Sequence, residues 1–328
     1  MTQPAYDIVA IGNAIVDVLA PADDAFIAEN GMTKGAMQLV FTTEEAEALY
    51  AKMAPGQTVS GGSAANTIAG MAALGAKCAF IGQVADDELG HIFAHDIRAG
   101  GIRFDVPARA GEPTTGRCLI LVSPDGQRTM NTFLGASHYL PAAALDRDLI
   151  ADSAYLYLEG YLWDPEEPRA AMRAAIDVAR AAGRKVAFTL SAEFVIDRHR
   201  DAFCQLIADG LIDLLFANEE ELKSLTQEAD LDAAIAAVSQ VETLVVTFGP
   251  EGAMAVEGGE RTRVSAEAVE AVVDTTGAGD LFAAGFLHGR IGGRSTAEAL
   301  RLGAICAAEC IGHYGPRPVA DLKELARG

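Results

Sequence analysis

The chain has 328 residues, 50% of them hydrophobic, and a formal charge of −21. That length suffices for one large core, and that charge sets a surface field that repels polyanions, which excludes nucleic acid and anionic membrane surfaces as large partners. The five cysteines (Cys78, Cys118, Cys204, Cys306, Cys310) are odd in number and form no C-x-x-C pair, which excludes a disulfide framework and fits thiols in a reducing compartment.

The amino-terminal Met1-Thr2-Gln3-Pro4 shows no basic stretch leading into an apolar run, and no segment reaches the roughly 18 apolar residues of a membrane span, so a cytoplasmic location is expected. Onward from there, short runs rich in valine, isoleucine and leucine alternate with longer alanine-rich amphipathic stretches. Strands are predicted at 7–11, 79–84, 154–158, 185–190, 214–217 and 244–248, and helices at 64–74, 165–182, 230–238, 278–289 and 296–311. This alternation predicts an α/β fold, a mainly parallel sheet between helices, in a single domain over 1–328. Two regions break it, 13–41 and 102–134; in the second, 117–122 and 128–134 flank Ser123-Pro124-Asp125-Gly126-Gln127 like two strands and a turn. They read as a small β lid over an active site.

The strongest chemical signal is Asp274-Thr275-Thr276-Gly277-Ala278-Gly279-Asp280, running straight into the apolar stretch 281–287. Two glycines around one alanine let the backbone turn tightly and aim the amides of Gly277, Ala278 and Gly279 at one point, where the helix dipole also favours negative charge. Asp280 faces the same place, and a carboxylate beside a bound phosphate is explained if it removes a proton from an attacking hydroxyl. Plain helix capping accounts for such a segment equally well. Ser60-Gly61-Gly62-Ser63-Ala64-Ala65-Asn66 also opens a helix: Gly61 and Gly62 let a ligand lie against bare backbone, and Asn66 offers a donor and an acceptor to hydroxyls. Asn218-Glu219-Glu220-Glu221 follows the run 214–217, where Asn218 and Glu221 could hold magnesium through water or merely start an acidic helix. His91 and His95, four apart, fit an exposed helix face better than a metal pair. Neither a P-loop nor a dinucleotide G-x-G-x-x-G is present.

With these residues the chain resembles the ribokinase-like (PfkB) carbohydrate kinases over nearly its whole length. Gly61–Asn66 is similar to the family's first signature, Asp274–Asp280 to its second, and Asn218 with Glu221 to its N-x-x-E motif. The resemblance implies a three-layer fold with a β lid, and use of ATP and Mg2+. Within the family the chain is most similar to adenosine kinases, on Gly12-Asn13-Ala14-Ile15-Val16-Asp17, Thr115-Gly116-Arg117-Cys118 and Arg128. That implies a site in which Asn13 and Asp17 bind the acceptor, Asp17 through two vicinal hydroxyls, and Arg128 reaches the transferring phosphoryl group. It further implies Thr247, Gly249 and Gly252 near the nucleotide, and Asp274 with the Thr276 carbonyl beside a monovalent cation such as K+. Met37, Phe133 and Leu134 are lid candidates for holding a base, and they fit an ordinary packed core equally well.

The expected activity is transfer of the γ-phosphoryl group of ATP to the primary hydroxyl of a nucleoside, adenosine first. Other acceptors are ribose, fructose or a keto-deoxy sugar acid, and a catalytically silent nucleoside- or sugar-binding protein is the reading from another class. The helix dipole should make Asp280 a weaker base than a carboxylate in water, which a loose transition state tolerates. A small-molecule substrate is the expected partner, with the chain acting as monomer or homodimer.

Overall fold

The computed structural model describes residues 4–327, so three residues of the amino-terminal stretch read above lie outside it. In chain order the strands are β1 Tyr6–Ile11, β2 Ile15–Pro21, β3 Met37–Val40, β4 Gln57–Gly61, β5 Cys78–Ile81, β6 Thr115–Val122, β7 Arg128–Gly135, β8 Ser153–Glu159, β9 Lys185–Thr189, β10 Leu214–Asn218, β11 Thr243–Thr247, β12 Ala253–Glu257 and β13 Glu260–Val264. Eight form one sheet in the order β13-β12-β11-β10-β9-β8-β1-β5, and five form another in the order β3-β7-β6-β2-β4.

From β5 across to β11 every neighbouring pair in the large sheet is parallel. Parallel neighbours need crossover connections, here helices, which is why these strands are apolar on both faces. The helix Glu166–Ala181 illustrates the fit: its buried residues Pro168, Ala171, Met172, Ala175, Ile176 and Ala179 make one stripe of a 3.6-residue period. All six predicted strands and all five predicted helices are present, with ends that differ by a few residues. Not predicted was the antiparallel hairpin β12–β13, which turns on Gly258 and Gly259 at φ +56° and +88°, the left-handed geometry of a two-residue turn. The charges Glu260, Arg261 and Arg263 on β13 keep that edge from pairing with another chain.

The small sheet is the expected appendage, with corrected bounds. β2, β3, β6 and β7 lie in the predicted regions, and β6 and β7 pair antiparallel about the predicted turn. β4 was missed, however, and 102–114 holds no strand; Arg103 and Arg109 make only single bridges, to Ala79 and Ala85. Because β1 runs through Gly12-Asn13-Ala14 straight into β2, the chain enters the lid at the carboxyl end of the large sheet. The parallel strands β1, β8, β10 and β11 all finish on that edge, which gathers Asn13, Glu159, Asn218 and Thr247 beneath the lid. No described helix is long and apolar enough to cross a membrane.

Candidate active site

A cleft of about 990 Å³ opens between the lid and the carboxyl edge of the large sheet. Its floor is the turn Thr275–Gly277 leading into the helix Ala278–Ile291. Gly277 holds φ +79°, and a Cβ there would come within 2.6 Å of the Pro316 Cβ, so only glycine is accommodated. Ala278 N–H turns back to the Thr275 carbonyl at 3.2 Å. This corrects the predicted donor set: the amides without a protein acceptor among the described residues are those of Gly277, Gly279 and Asp280. A Cβ on Gly279 would meet nothing within 4 Å, so the space in front of these amides is open.

Asp280 faces into this space. Its carboxylate accepts from Ser63 Oγ at 2.6 Å and from Asn66 Nδ2 at 3.0 Å, which joins the two glycine-rich segments across 214 residues of sequence. Burial pushes its carboxyl up, against those two hydrogen bonds and the Arg317 charge, which pull it down. The net direction reverses the expectation of a weakened base. Asn66 Oδ1 is buried with no partner, an acceptor aimed at the same region and suited to a ligand hydroxyl.

Asp17, on β2, is buried and lines the cleft, and no donor among the described residues reaches its carboxylate. Burial raises it to about 7, with Arg317 pulling the other way. Gly61 has no side chain because Asp17 occupies that volume: a Cβ would stand 2.4–2.6 Å from the carboxyl atoms. Gly62, at φ +98°, lies so close to the Asn13 carbonyl that a Cβ would be 2.1 Å from its oxygen. Asn13 is less free than expected. Its Nδ2 and backbone N–H donate to Glu159 at 2.6 and 2.7 Å, and its Oδ1 accepts from Ser137, so it shapes the cleft wall more than it offers bonds.

Glu159 was not anticipated. Fully buried at the end of β8, it also accepts from Ala64 N–H at 2.6 Å and so ties the start of the helix Ser63–Ala73 to Asn13 at the β1–β2 junction; burial raises it to about 7 despite three hydrogen bonds. The available signal was a carboxylate directly after a buried apolar run and before Gly160. Arg317, also unanticipated, donates to the Ser60 and Ala65 carbonyls at 2.9 and 2.8 Å. Its signal was a lone arginine between Pro316 and Pro318.

Arg128, at the start of β7, pairs with a carboxylate of the anion turn's own segment. It lines the cleft with its Nη2 against Asp274 Oδ2, and its Nε and Nη1 are buried without partners. Asp274 Oδ2 further accepts from Gly315 N–H at 2.7 Å, and the Thr276 carbonyl takes the Cys310 thiol at 3.3 Å. A guanidinium therefore holds the carboxylate assigned above to a monovalent cation, and that donor set does not fit K+.

Asn218 and Glu221 form a capping box, with Glu221 N–H donating to Asn218 Oδ1 at 2.8 Å and Asn218 N–H to Glu221 Oε2 at 3.0 Å. Both also line the cleft, so the helix-start and metal-site readings coexist, and Glu221 Oε1 remains available. No group of three or more potential ligands gathers among the described residues, a donor set that fits magnesium held through its water shell and not a caged ion. Thr247 lines the cleft, but Gly249 and Gly252 do not: they build the tight turn into β12, where a Cβ on Gly252 would lie 2.1 Å from the Val264 carbonyl oxygen. Met37 and Leu134 line the cleft while Phe133 is buried away from it. His91 and His95 are exposed, each beside its own aspartate.

Comparison with known proteins agrees with this geometry. A family model described as pfkB family carbohydrate kinase matches residues 31–322. Among curated proteins, guanosine-inosine kinase of Escherichia coli (strain K12) is 30% identical over 257 residues, 75% of this chain; the match spans only 58% of that relative's length. Two solved structures are similar nearly end to end. Adenosine kinase from Sinorhizobium meliloti is 47% identical with a TM-score of 0.93 over 98% of each chain. A probable sugar kinase protein from Rhizobium etli CFN 42 is 43% identical with a TM-score of 0.94, over 100% of this chain and 98% of that one.

Proposed function

This chain belongs to the pfkB family of carbohydrate kinases, and on that premise we propose that it transfers the γ-phosphoryl group of ATP to the primary hydroxyl of a nucleoside, adenosine first. The observation that carries the reading is that three residues with acceptor-free amides (Gly277, Gly279, Asp280) and the Asp280 carboxylate line one cleft that also holds Asp17. The amides stabilise negative charge on the γ-phosphoryl oxygens. Asp280, held at both oxygens by Ser63 and Asn66, orients the acceptor hydroxyl and takes its proton as that oxygen bonds to phosphorus and ADP departs. Asp17 accepts from the two vicinal ribose hydroxyls, a pairing that a 2′-deoxy sugar satisfies only by half. Magnesium, when bound, neutralises charge on the nucleotide phosphates; Asn218 and Glu221 are the residues that would hold its water shell.

The 47% identity to a protein named adenosine kinase supports adenosine as the acceptor. A second reading, a sugar acceptor on the same machinery, draws on the 43% identity to a probable sugar kinase. ADP release measured with adenosine, inosine, guanosine, ribose, fructose and keto-deoxygluconate separates them. Adenosine should give the highest kcat/KM; a sugar that outruns every nucleoside refutes the acceptor assignment, and no ADP release with any of them refutes the kinase reading.

A further inference from the structure

The segment after the helix Thr296–Ile311 touches three parts of the cleft with four consecutive residues. The Tyr314 ring lies 5.8 Å from the Arg128 guanidinium of the lid. Gly315 N–H donates to Asp274, which braces the anion turn, and Pro316 packs on Gly277 within it. Arg317 then reaches the acceptor side, where its two carbonyl partners, Ser60 and Ala65, stand on either side of the Gly61–Ala64 turn. Prolines before and after restrict the backbone at Arg317, so the guanidinium is delivered from a stiff support.

Arg317 does not line the cleft. Its third nitrogen, Nη2, is buried without a hydrogen-bond partner, on a side chain whose charge acts on both Asp17 and Asp280. Two buried carboxylates lining one cleft repel, and each resists ionisation unless a positive charge offsets the other. Burial lowers Arg317 only to about 10, so it carries that charge at neutral pH.

We infer that Arg317 is a positioning residue for phosphoryl transfer, tying both ends of the acceptor turn to the anion turn and supplying the positive charge under which Asp17 and Asp280 act together. The inference rests on the kinase reading above. It differs from a purely structural role in what it does to substrate recognition, because the turn it holds carries Gly61 and Gly62 against Asp17 and Asn13, while its own hydrogen bonds reach only the acceptor-side carbonyls of Ser60 and Ala65.

The test compares Arg317→Lys and Arg317→Met with the unsubstituted chain, using adenosine and ATP as varied substrates and active-site titration to correct for folded fraction. Lysine keeps the charge but lacks the planar fork that serves two carbonyls, so acceptor KM should rise roughly 3- to 10-fold while ATP KM stays within about twofold. Methionine keeps the bulk and loses the charge, so acceptor kcat/KM should fall on the order of 10²-fold, with kcat contributing, and lysine should recover a large part of that loss. Should the methionine variant fail to fold, the lysine variant decides alone. An acceptor KM unchanged in the lysine variant, or a loss equal for both substrates that lysine does not relieve, overturns the inference. Because the unsubstituted chain is assayed alongside, its inactivity toward every acceptor would instead mark failure of the kinase reading.

Discussion

Substituting Gly61→Ala would test the acceptor site through a single added carbon. β2 and β4 pair antiparallel with Ile15 opposite Gly61 and Asp17 opposite Val59, which sets the Asp17 side chain diagonally across the bare glycine. The new Cβ would lie 2.4, 2.5 and 2.6 Å from Oδ2, Cγ and Oδ1 of Asp17, against 3.4 Å or more for an ordinary contact. The carboxylate must therefore retreat by about 1 Å, enough to break the geometry of a charge-assisted hydrogen bond. Such a bond contributes about 1.5–3 kcal/mol, which sets adenosine affinity lower by roughly 10- to 150-fold. Gly61 is not in the left-handed φ region, so overpacking is the whole structural cost, about 1–3 kcal/mol. Isothermal titration with adenosine, beside ATP titration and a thermal melt, reads each effect separately. A folded variant that binds adenosine as tightly as the unsubstituted chain would refute the placement of Asp17 in the acceptor site.

Other outcomes follow from the same geometry. Asp17 is raised to about 7 by burial, so it is neutral below that pH and ionised above it. Acceptor kcat/KM should thus fall about tenfold per pH unit on the acid side of roughly 7, and a profile flat from pH 5 to 8 contradicts this. The raised value also means that the folded chain binds this proton more tightly than the unfolded one, so the Asp17 contribution to stability declines as pH rises from about 4 to 7. The melting-temperature advantage of Asp17→Asn should grow across that window. Gly277→Ala meets both a left-handed φ and the Pro316 ring and should lower Tm by about 3–6 °C together with turnover. Gly279→Ala has no neighbour to displace and should keep Tm within about 1 °C while the methyl blocks the free amides and cuts turnover. Equal Tm losses in both would count against this division of roles.

What the sequence made legible was whatever local chemistry encodes. Apolar runs too long for a half-exposed strand revealed the parallel strands, and the turn signatures revealed the glycine-rich segments. β4, read as Gln57-Thr58-Val59-Ser60-Gly61, lacks such a run because an edge strand of the lid buries little. The β12–β13 hairpin carried its Gly258-Gly259 signal, but its second strand is charged and so does not stand out by hydrophobicity. Within the site, Asp280 and Asn66 stand out by residue type and context, whereas Asp17 is expected only through the resemblance to adenosine kinases. Glu159 and Arg317 do not stand out, since each acts on backbone atoms about 95 to 257 residues away that no local pattern connects to it. The pairing of Arg128 with Asp274, on separate elements, is likewise a tertiary fact, and it occupies the carboxylate assigned to a monovalent cation.

The most direct measurement is single-turnover phosphoryl transfer by Asp280→Asn. Asparagine can keep one hydrogen bond to the Ser63–Asn66 pair and leaves the amides of Gly277 and Gly279 in place. ATP affinity should stay within about threefold, while the transfer rate drops on the order of 10² or more. Transfer at a near-normal rate in that variant would contradict proton removal by Asp280.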